Sequence, residues 1–143
     1  MATSFQVSIL AADRQIWDGR AISLVAHGRD GYFGILAHHA PLIASLMPGK
    51  LTLKDETGQD LCFALSSGIL DVADNHVKIL VRSGERPEEI DYERACQAEE
   101  RARKKLETFH GKGLDFDQFL RSFLRSINRK KIAEEFGHAK PKS

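Results

Sequence analysis

Two adjacent histidines, His38 and His39, are the residues of this 143-residue sequence that most directly suggest chemistry. With Asp30 they could supply a general base or the ligands of a metal ion. On an extended chain, however, neighbouring side chains point to opposite faces, so the two rings cannot easily bind one ion together. We therefore expect His39 to have a corner or interface role, with a small hydrolase centred on the two histidines as an alternative.

Other catalytic patterns are missing from the sequence. Ser66-Ser67-Gly68 is not a GxSxG nucleophile elbow, and no GxxxxGK[ST] phosphate loop is present. Cys62 and Cys96 have no CxxC spacing, so they predict neither a disulfide framework nor a metal site. The sequence predicts a chain that performs no catalysis itself.

Basic side chains at helical spacing indicate a binding surface more strongly than the histidines indicate a catalytic site. Residues 116–143 carry seven Lys or Arg against three acids, although the whole chain has a formal charge of only +1. Residues four apart share one face of a helix. The basic residues with such spacing are Arg94, Arg101 and Lys105, then Arg121, Arg125 and Arg129. Arginine forks bind phosphate or a carboxylate-rich partner, while a solvated helix face and nucleic-acid binding are the alternatives.

Residues 1–86 alternate between apolar and polar side chains in short runs, which is typical of an all-β sandwich domain. Ile16-Trp17 and Ala21–Val25 are interpreted as two strands joined by a turn at Asp18-Gly19. Within Gly31–Gly49 the sequence predicts a strand, a tight corner that carries both histidines, and a second strand. Pro41 supports the corner because it cannot donate to a strand ladder.

Residues 87–136 change to helical periodicity and predict an antiparallel α-helical hairpin, with a flexible tail over 137–143. Asp91 and Asp115 are the expected N-caps, and a hinge is expected at Gly111–Gly113. The first helix has a stripe of mostly small residues, and the second has a large apolar stripe of Phe116, Phe119, Leu120, Phe123, Leu124 and Ile127. So small an interface is marginally stable, which makes opening of the hairpin physically plausible.

No targeting segment or membrane-spanning run is predicted, so any link to a membrane must be through a partner.

The order of several motifs resembles the epsilon subunit of bacterial F-type ATP synthases, over about Phe5 to Ala133. The motifs that carry this resemblance are Gly31-Tyr-Phe-Gly-Ile-Leu36, His39-Ala-Pro-Leu42, Gly49, Ser67-Gly68-Ile-Leu-Asp-Val72, Asn75-His-Val77, Ile90-Asp91 and Arg94-Ala95. The sequence departs from the family at Ala37, where a proline is usual, which changes only the stiffness of the corner.

The resemblance implies a non-catalytic rotor subunit of the central stalk, which helps couple proton flow to ATP synthesis. The β-sandwich would contact the gamma subunit and the c-ring, and the extended hairpin would inhibit ATP hydrolysis against the alpha and beta subunits. The protein would be peripheral, on the cytoplasmic face of the cell membrane. The expected interface residues are Tyr32, Phe33, His38, His39, Pro41 and Leu42.

The resemblance also implies a regulatory ATP site on the folded hairpin, although no cofactor is required. Some members bind ATP through a motif that Ile90, Asp91, Arg94 and Ala95 match. The other expected contacts are Glu85, Arg101, Arg125 and Arg129. A helix-capping role for Asp91 is the alternative to a ligand role.

Overall fold

The computed structural model describes residues 3–109 and 114–136, and the chain divides after Glu85 into two compact units. The first contains the strands β1 Phe5–Ala11, β2 Gln15–Gly28, β3 Gly31–Leu36, β4 Leu42–Leu46, β5 Gly49–Asp55, β6 Asp60–Leu65, β7 Gly68–Ala73, β8 His76–Val81 and β9 Gly84–Glu85. The second contains a 3-10 helix, Pro87–Glu89, and the helices α1 Tyr92–Thr108 and α2 Leu114–Phe136. The predicted fold class, a β-sandwich followed by a helical hairpin, is confirmed.

The strands form two layers. In one layer, β1 is followed by β8, β7 and β4, while the other contains β3, β2, β5, β6 and β9. Alternate side chains of both layers fill the core, where the largest fully buried side chains include Phe5, Phe63, Leu24, Ile35 and Ile79. This alternation is the two-residue period of half-buried strands, and it explains why the strands could be predicted from the sequence.

The predicted turn at Asp18-Gly19 is wrong. Asp18 and Gly19 do not form a turn but continue one 14-residue strand, in which they pair with Ser8 and Val7 of β1. A side chain at Gly19 would place its Cβ 2.7 Å from the Trp17 ring, so the glycine leaves space for that ring. The Asp-Gly pair indicated a turn, but pairing with β1 supplies backbone partners that a turn would not offer.

The predicted corner lies between β3 and β4, but its backbone differs from the extended chain assumed for the two histidines. His38 has φ 63°, in the left-handed region. The chain is therefore not extended at His38, and extended geometry does not direct the two histidine rings to opposite faces. Among the described residues, no group of three or more His, Cys, Asp and Glu is placed to hold an ion.

Of the two predicted N-cap positions, Asp91 is confirmed, whereas Asp115 lies within a helix. The Asp91 side chain accepts a hydrogen bond from the Arg94 backbone N–H at 3.1 Å, as a helix N-cap should. Because α2 covers Leu114–Phe136, Asp115 lies within the helix and not at the predicted N-cap position before it. The predicted hinge at Gly111–Gly113 and the tail over 137–143 lie outside the described residues.

The predicted apolar stripe of α2 is only partly buried, since Phe119, Phe123 and Ile127 are half-buried and the other three members are exposed. Among the side chains of this helix that the structure describes, Ser126, Ile132 and Ala133 are buried, whereas three members of the stripe remain more than a third exposed. Those exposed members are Phe116 at 38%, Leu120 at 36% and Leu124 at 37%. No helix in the described part of the chain is long and apolar enough to cross a bilayer.

Substitution of Gly68, which begins β7, tests the close approach of β7 and β8. A Cβ at this position would collide with the Leu80 carbonyl oxygen and lie 2.8 Å from the Val81 Cα atom. Gly68→Ala should therefore lower the free energy of unfolding by about 1–3 kcal/mol, measured by urea denaturation. Gly34→Ala is the control, because its Cβ meets its nearest neighbour, the Leu24 carbonyl oxygen, at an ordinary 3.7 Å. Equal losses in the two variants would contradict this packing.

Candidate functional site

The six residues expected at a subunit interface divide into two groups. Four of them, Tyr32, His38, His39 and Pro41, are exposed. The other two, Phe33 and Leu42, are half-buried and pack against the hydrophobic core. The corner therefore has a polar and aromatic outer surface, and Phe33 and Leu42 fix it to the hydrophobic core.

Tyr32 is held in place although its side chain is 56% exposed. Its ring stacks on the His27 ring, with centroids 4.5 Å apart and an interplanar angle of 24°. His27 Nδ1 also lies 3.0 Å from the Pro48 carbonyl oxygen. Gly49 allows this arrangement, because a Cβ there would lie only 2.5 Å from His27 Nδ1. A partner would meet an ordered aromatic surface at this position.

An exposed apolar surface, which the sequence analysis did not identify, covers the outer side of the layer that contains β1, β8, β7 and β4. Strand pairing places Leu80 beside both Leu10 and Ile69, and Ile69 beside Ser45 of β4. Ile43 lies two residues before Ser45, so it is on the same side of β4. The exposed fractions are 37% for Leu10, 56% for Leu80, 51% for Ile69 and 76% for Ile43. These four residues are called the outer apolar face.

A sequence signal for the outer apolar face was present. In each of its strands, an exposed apolar residue stands next to a core residue, in the pairs Ile9-Leu10, Leu42-Ile43, Ile69-Leu70 and Ile79-Leu80. Strict alternation would place a polar residue at the outer position of each pair. Such pairs of adjacent apolar residues therefore indicate strands in which one face is buried and the other is an exposed apolar face.

A polar cluster lies beside this face. The Ser8 hydroxyl donates to Asp18 Oδ1 at 3.2 Å, and its oxygen lies 3.0 Å from His76 Nε2. In a catalytic triad the carboxylate holds the histidine, which then activates the serine. Here the carboxylate contacts the serine, so the geometry does not activate Ser8 as a nucleophile.

The hairpin unit contains a basic cavity of about 270 Å³ between α1 and α2. Two basic side chains line it from each helix, Arg101 and Lys105 from α1, and Arg125 and Arg129 from α2. The remaining lining residues are Ala98, Ala102, Phe119, Ser122 and Ser126. Lys105 Nζ also lies 5.6 Å from the centroid of the Phe119 ring, within the range of a cation–π contact.

The basic cavity gathers three of the eight residues expected to bind ATP, namely Arg101, Arg125 and Arg129. The four motif residues lie around the start of α1 and do not line it. Of these four, Ile90 and Ala95 are buried, Asp91 is the N-cap and Arg94 is exposed. Glu85 belongs to the first unit, where it pairs with Ala64.

Lys105, Ser122 and Phe119 are cavity residues that were not among the expected ATP contacts. Lys105 was visible in the basic spacing, and Phe119 was assigned to an apolar stripe.

Two polar contacts join α1 and α2. The Tyr92 hydroxyl donates to Glu134 Oε1 at 2.7 Å, and this bond raises the pKa of Tyr92. Lys130 Nζ lies 3.1 Å from Glu99 Oε2, and Glu99 raises the pKa of Lys130. Since both pKa values are raised, the stabilisation is present at neutral pH and is lost only as the pH rises through them.

Comparison with known proteins gives the same architecture. Residues 4–87 match the family described as "ATP synthase, Delta/Epsilon chain, beta-sandwich domain". The ATP synthase epsilon chain of Shouchella clausii is 37% identical over 137 residues, which cover 96% of this chain and 99% of that relative. The ATP synthase epsilon chain of Protochlamydia amoebophila is 40% identical over 104 residues, which cover 73% of this chain and 71% of the relative.

Two solved structures share the fold. A chain in the cryo-EM structure of the Euglena gracilis mitochondrial ATP synthase has a TM-score of 0.75 at 24% identity, and the match covers 87% of this chain and 78% of that one. A chain in the central stalk and c-ring structure of the Tetrahymena thermophila mitochondrial ATP synthase has a TM-score of 0.61 at 19% identity, covering 90% and 95%.

The fold and the matched residues define a β-sandwich of the ATP synthase delta/epsilon type, followed by a helical hairpin. The chain belongs to the ATP synthase epsilon chain family.

Substitution of Asp91 separates its capping role from a role in ligand binding. Asp91→Ala removes the acceptor of the Arg94 N–H and should cost about 0.5–2 kcal/mol of helix stability. Asp91→Ser keeps a capping oxygen and should retain most of it. Thermal unfolding followed by circular dichroism in the absence of nucleotide measures both effects. If the alanine variant unfolds at the same temperature as the serine variant, the observed cap does not stabilise α1.

Proposed function

We propose that this protein is a non-catalytic rotor subunit in the central stalk of a proton-translocating F-type ATP synthase. Its β-sandwich contacts the gamma subunit and the c-ring, and so helps couple proton flow to ATP synthesis. Its helical hairpin inhibits ATP hydrolysis, and ATP modulates that inhibition. The outer apolar face, together with membership of the epsilon chain family, is the observation that carries this proposal.

The outer apolar face has the properties of a docking surface. Four neighbouring large side chains are left between 37% and 76% exposed on a small domain whose other apolar residues are largely in the core. Contiguous apolar surface of this kind marks a place where a partner removes water. A polar border is also present along one side, because the strand register places Asp18, Ser8, Lys78 and Asp71 next to one another, in the row beside Leu10, Leu80 and Ile69. An apolar centre with a polar rim is the usual anatomy of a protein interface.

The corner between β3 and β4 supplies a second contact region of the same unit. Tyr32, His38, His39 and Pro41 offer ring surfaces and hydrogen-bonding groups in place of a broad apolar area. Such a surface suits the polar loops of a c-ring, while the outer apolar face suits the gamma subunit. The protein would then be peripheral on the cytoplasmic face of the membrane and held there by its partners.

An inhibitory role of the hairpin is supported by the surface of α2. Phe116, Leu120 and Leu124 form an exposed apolar line at four-residue spacing, and Arg121 and Arg125 lie next to it. Such a helix can place its apolar line in a groove and its arginines on carboxylates of the alpha and beta subunits. The two polar contacts between α1 and α2 are partly exposed and therefore weak, which permits the hairpin to open.

Regulation by ATP is supported by the basic cavity. The cationic groups of Arg101, Lys105 and Arg125 surround one small cavity, and their mutual repulsion opposes closure of the hairpin. A polyphosphate would remove the repulsion and accept hydrogen bonds from the three arginines. Binding of ATP to the folded hairpin would then stabilise the folded state by mass action and relieve inhibition.

The docking proposal predicts that a charge on the outer apolar face prevents assembly. Ile69→Lys should weaken binding to an ATP synthase depleted of this subunit by about tenfold to thirtyfold, because the interface would have to bury an ammonium group. Val25→Lys is the control, since Val25 is 40% exposed in β2 of the other layer. Binding can be measured by titration, together with ATP-driven proton pumping. Equal affinities of the two variants would exclude the outer apolar face as the docking surface.

The regulatory proposal predicts saturable ATP binding by the purified protein. Calorimetry should show that Arg125→Ala weakens this binding about tenfold or more, because a hydrogen bond to a charged phosphate is lost. Arg121→Ala is the matched control, because Arg121 is one helical turn away and does not line the cavity. The absence of saturable heat at millimolar ATP, or an equal loss in both variants, would contradict the site. Tighter, salt-sensitive binding of single-stranded RNA would instead favour the nucleic-acid alternative.

A further inference from the structure

Asn75 joins three separate parts of the β-sandwich. Its side-chain oxygen accepts a hydrogen bond from the His38 backbone N–H at 2.7 Å, and its side-chain nitrogen donates to the Ser4 carbonyl oxygen at 3.0 Å. Its own carbonyl oxygen accepts from the Gln6 backbone N–H at 3.1 Å. One residue of the β7–β8 turn therefore contacts both the start of β1 and the corner between β3 and β4.

The position requires asparagine for two physical reasons. Asn75 has φ 58° and Asp74 has φ 51°, so both residues of the turn are in the left-handed region. Asparagine tolerates this conformation better than most residues with a side chain. Its amide also carries an acceptor and a donor, and both are used here. Glycine would adopt the left-handed backbone but make neither side-chain hydrogen bond. Aspartate would keep the oxygen that accepts from the His38 N–H and lose the nitrogen that donates to the Ser4 carbonyl oxygen.

The corner depends on this contact because its own backbone provides little support. His38 is itself in the left-handed region, at φ 63°. The backbone bond across the turn, from the His39 N–H to the Leu36 carbonyl oxygen, is 3.3 Å long, which is near the upper limit for a hydrogen bond. The bond from the His38 N–H to Asn75 is much shorter. It fixes the residue whose unusual backbone directs the chain into His39, Ala40 and Pro41.

Asn75 also connects the corner to the outer apolar face. The turn that contains Asn75 joins β7, which carries Ile69, to β8, which carries Leu80. The bond to His38 therefore links the end of this strand pair to the corner. The corner also continues directly into β4, which pairs with β7, so the bond to Asn75 adds a second link between the two proposed contact regions.

We propose that Asn75 is a positioning residue for docking: through the His38 N–H it holds the His38–Pro41 corner in register with the outer apolar face. The inference rests on the proposed function, because it concerns how the two contact regions engage their stalk partners together. Asn75 itself needs no contact with a partner for this role.

Three variants test the inference in the full-length protein. Asn75→Gly keeps the left-handed backbone and removes both side-chain bonds. Asp74→Gly is the matched control, since it makes the same backbone change one residue earlier, and no hydrogen bond of the Asp74 side chain is seen within residues 3–109 and 114–136. Asn75→Asp keeps an acceptor for the His38 N–H. All three are compared for unfolding temperature, for amide exchange at His38, and for affinity toward an ATP synthase depleted of this subunit.

The inference predicts that Asn75→Gly exchanges the His38 amide about tenfold faster and binds the depleted enzyme about tenfold more weakly than Asp74→Gly. Both glycine variants should have similar unfolding temperatures, since a mobile corner leaves the core intact. Asn75→Asp should bind nearly as well as the unmodified protein. If its affinity instead falls as far as that of Asn75→Gly, the bond to His38 is not what positions the corner.

A fourth variant, His39→Ala, distinguishes failure of the inference from failure of the proposed function. If His39→Ala weakens docking and Asn75→Gly does not, the corner binds a partner without help from Asn75, and only the inference is overturned. If neither variant changes docking, the corner is not a contact region, and both its proposed role and the inference fail.

Discussion

Every strand pairing that joins the two layers of the described sandwich involves β2. Its first half pairs with β1, its second half pairs with β3 and β5, and Gly28 at its end pairs with Leu46 of β4. A register shift between Ala21 and Ser23 marks the point where the strand passes from one layer to the other. Buried backbone groups need hydrogen-bond partners. A single bent strand that pairs within both layers supplies these partners where the two layers meet, so the layers can close over one core.

This construction leaves the outer sides of the strands available for function. The core residues of β1, β4, β7 and β8 point inward, so the next residue of each strand points outward. In four places that outward residue is apolar, which is costly in water and becomes favourable when a partner covers it. The connecting turns lie at the strand ends, where Asn75 and the corner meet. The same sheet can thus hold a broad apolar surface and a precisely shaped polar corner.

The hairpin is held together by different interactions from those of the β-sandwich. Among the described side chains, Ala95 and Ala102 are buried on α1, and Ser126, Ile132 and Ala133 on α2, so most of the buried side chains of the two helices are small. The positive charges of Arg101, Lys105 and Arg125 around the basic cavity oppose that packing, while the contacts of Tyr92 with Glu134 and of Lys130 with Glu99 support it. The proposed regulation requires a small free-energy difference between closed and open states, which a ligand that binds one of them would shift.

The sequence by itself determined the β-sandwich, the helical hairpin, the Asp91 cap and the corner around His38, because each depends on local periodicity or turn chemistry. Tertiary structure decided the features that depend on non-local partners. Pairing with β1 made Asp18-Gly19 part of a strand in place of a turn. Packing buried Ser126, Ile132 and Ala133 of α2, while Phe116 stayed exposed. Only the folded chain brings Asn75 to His38, since the hydrogen bond that joins them spans 37 residues and no local pattern encodes it.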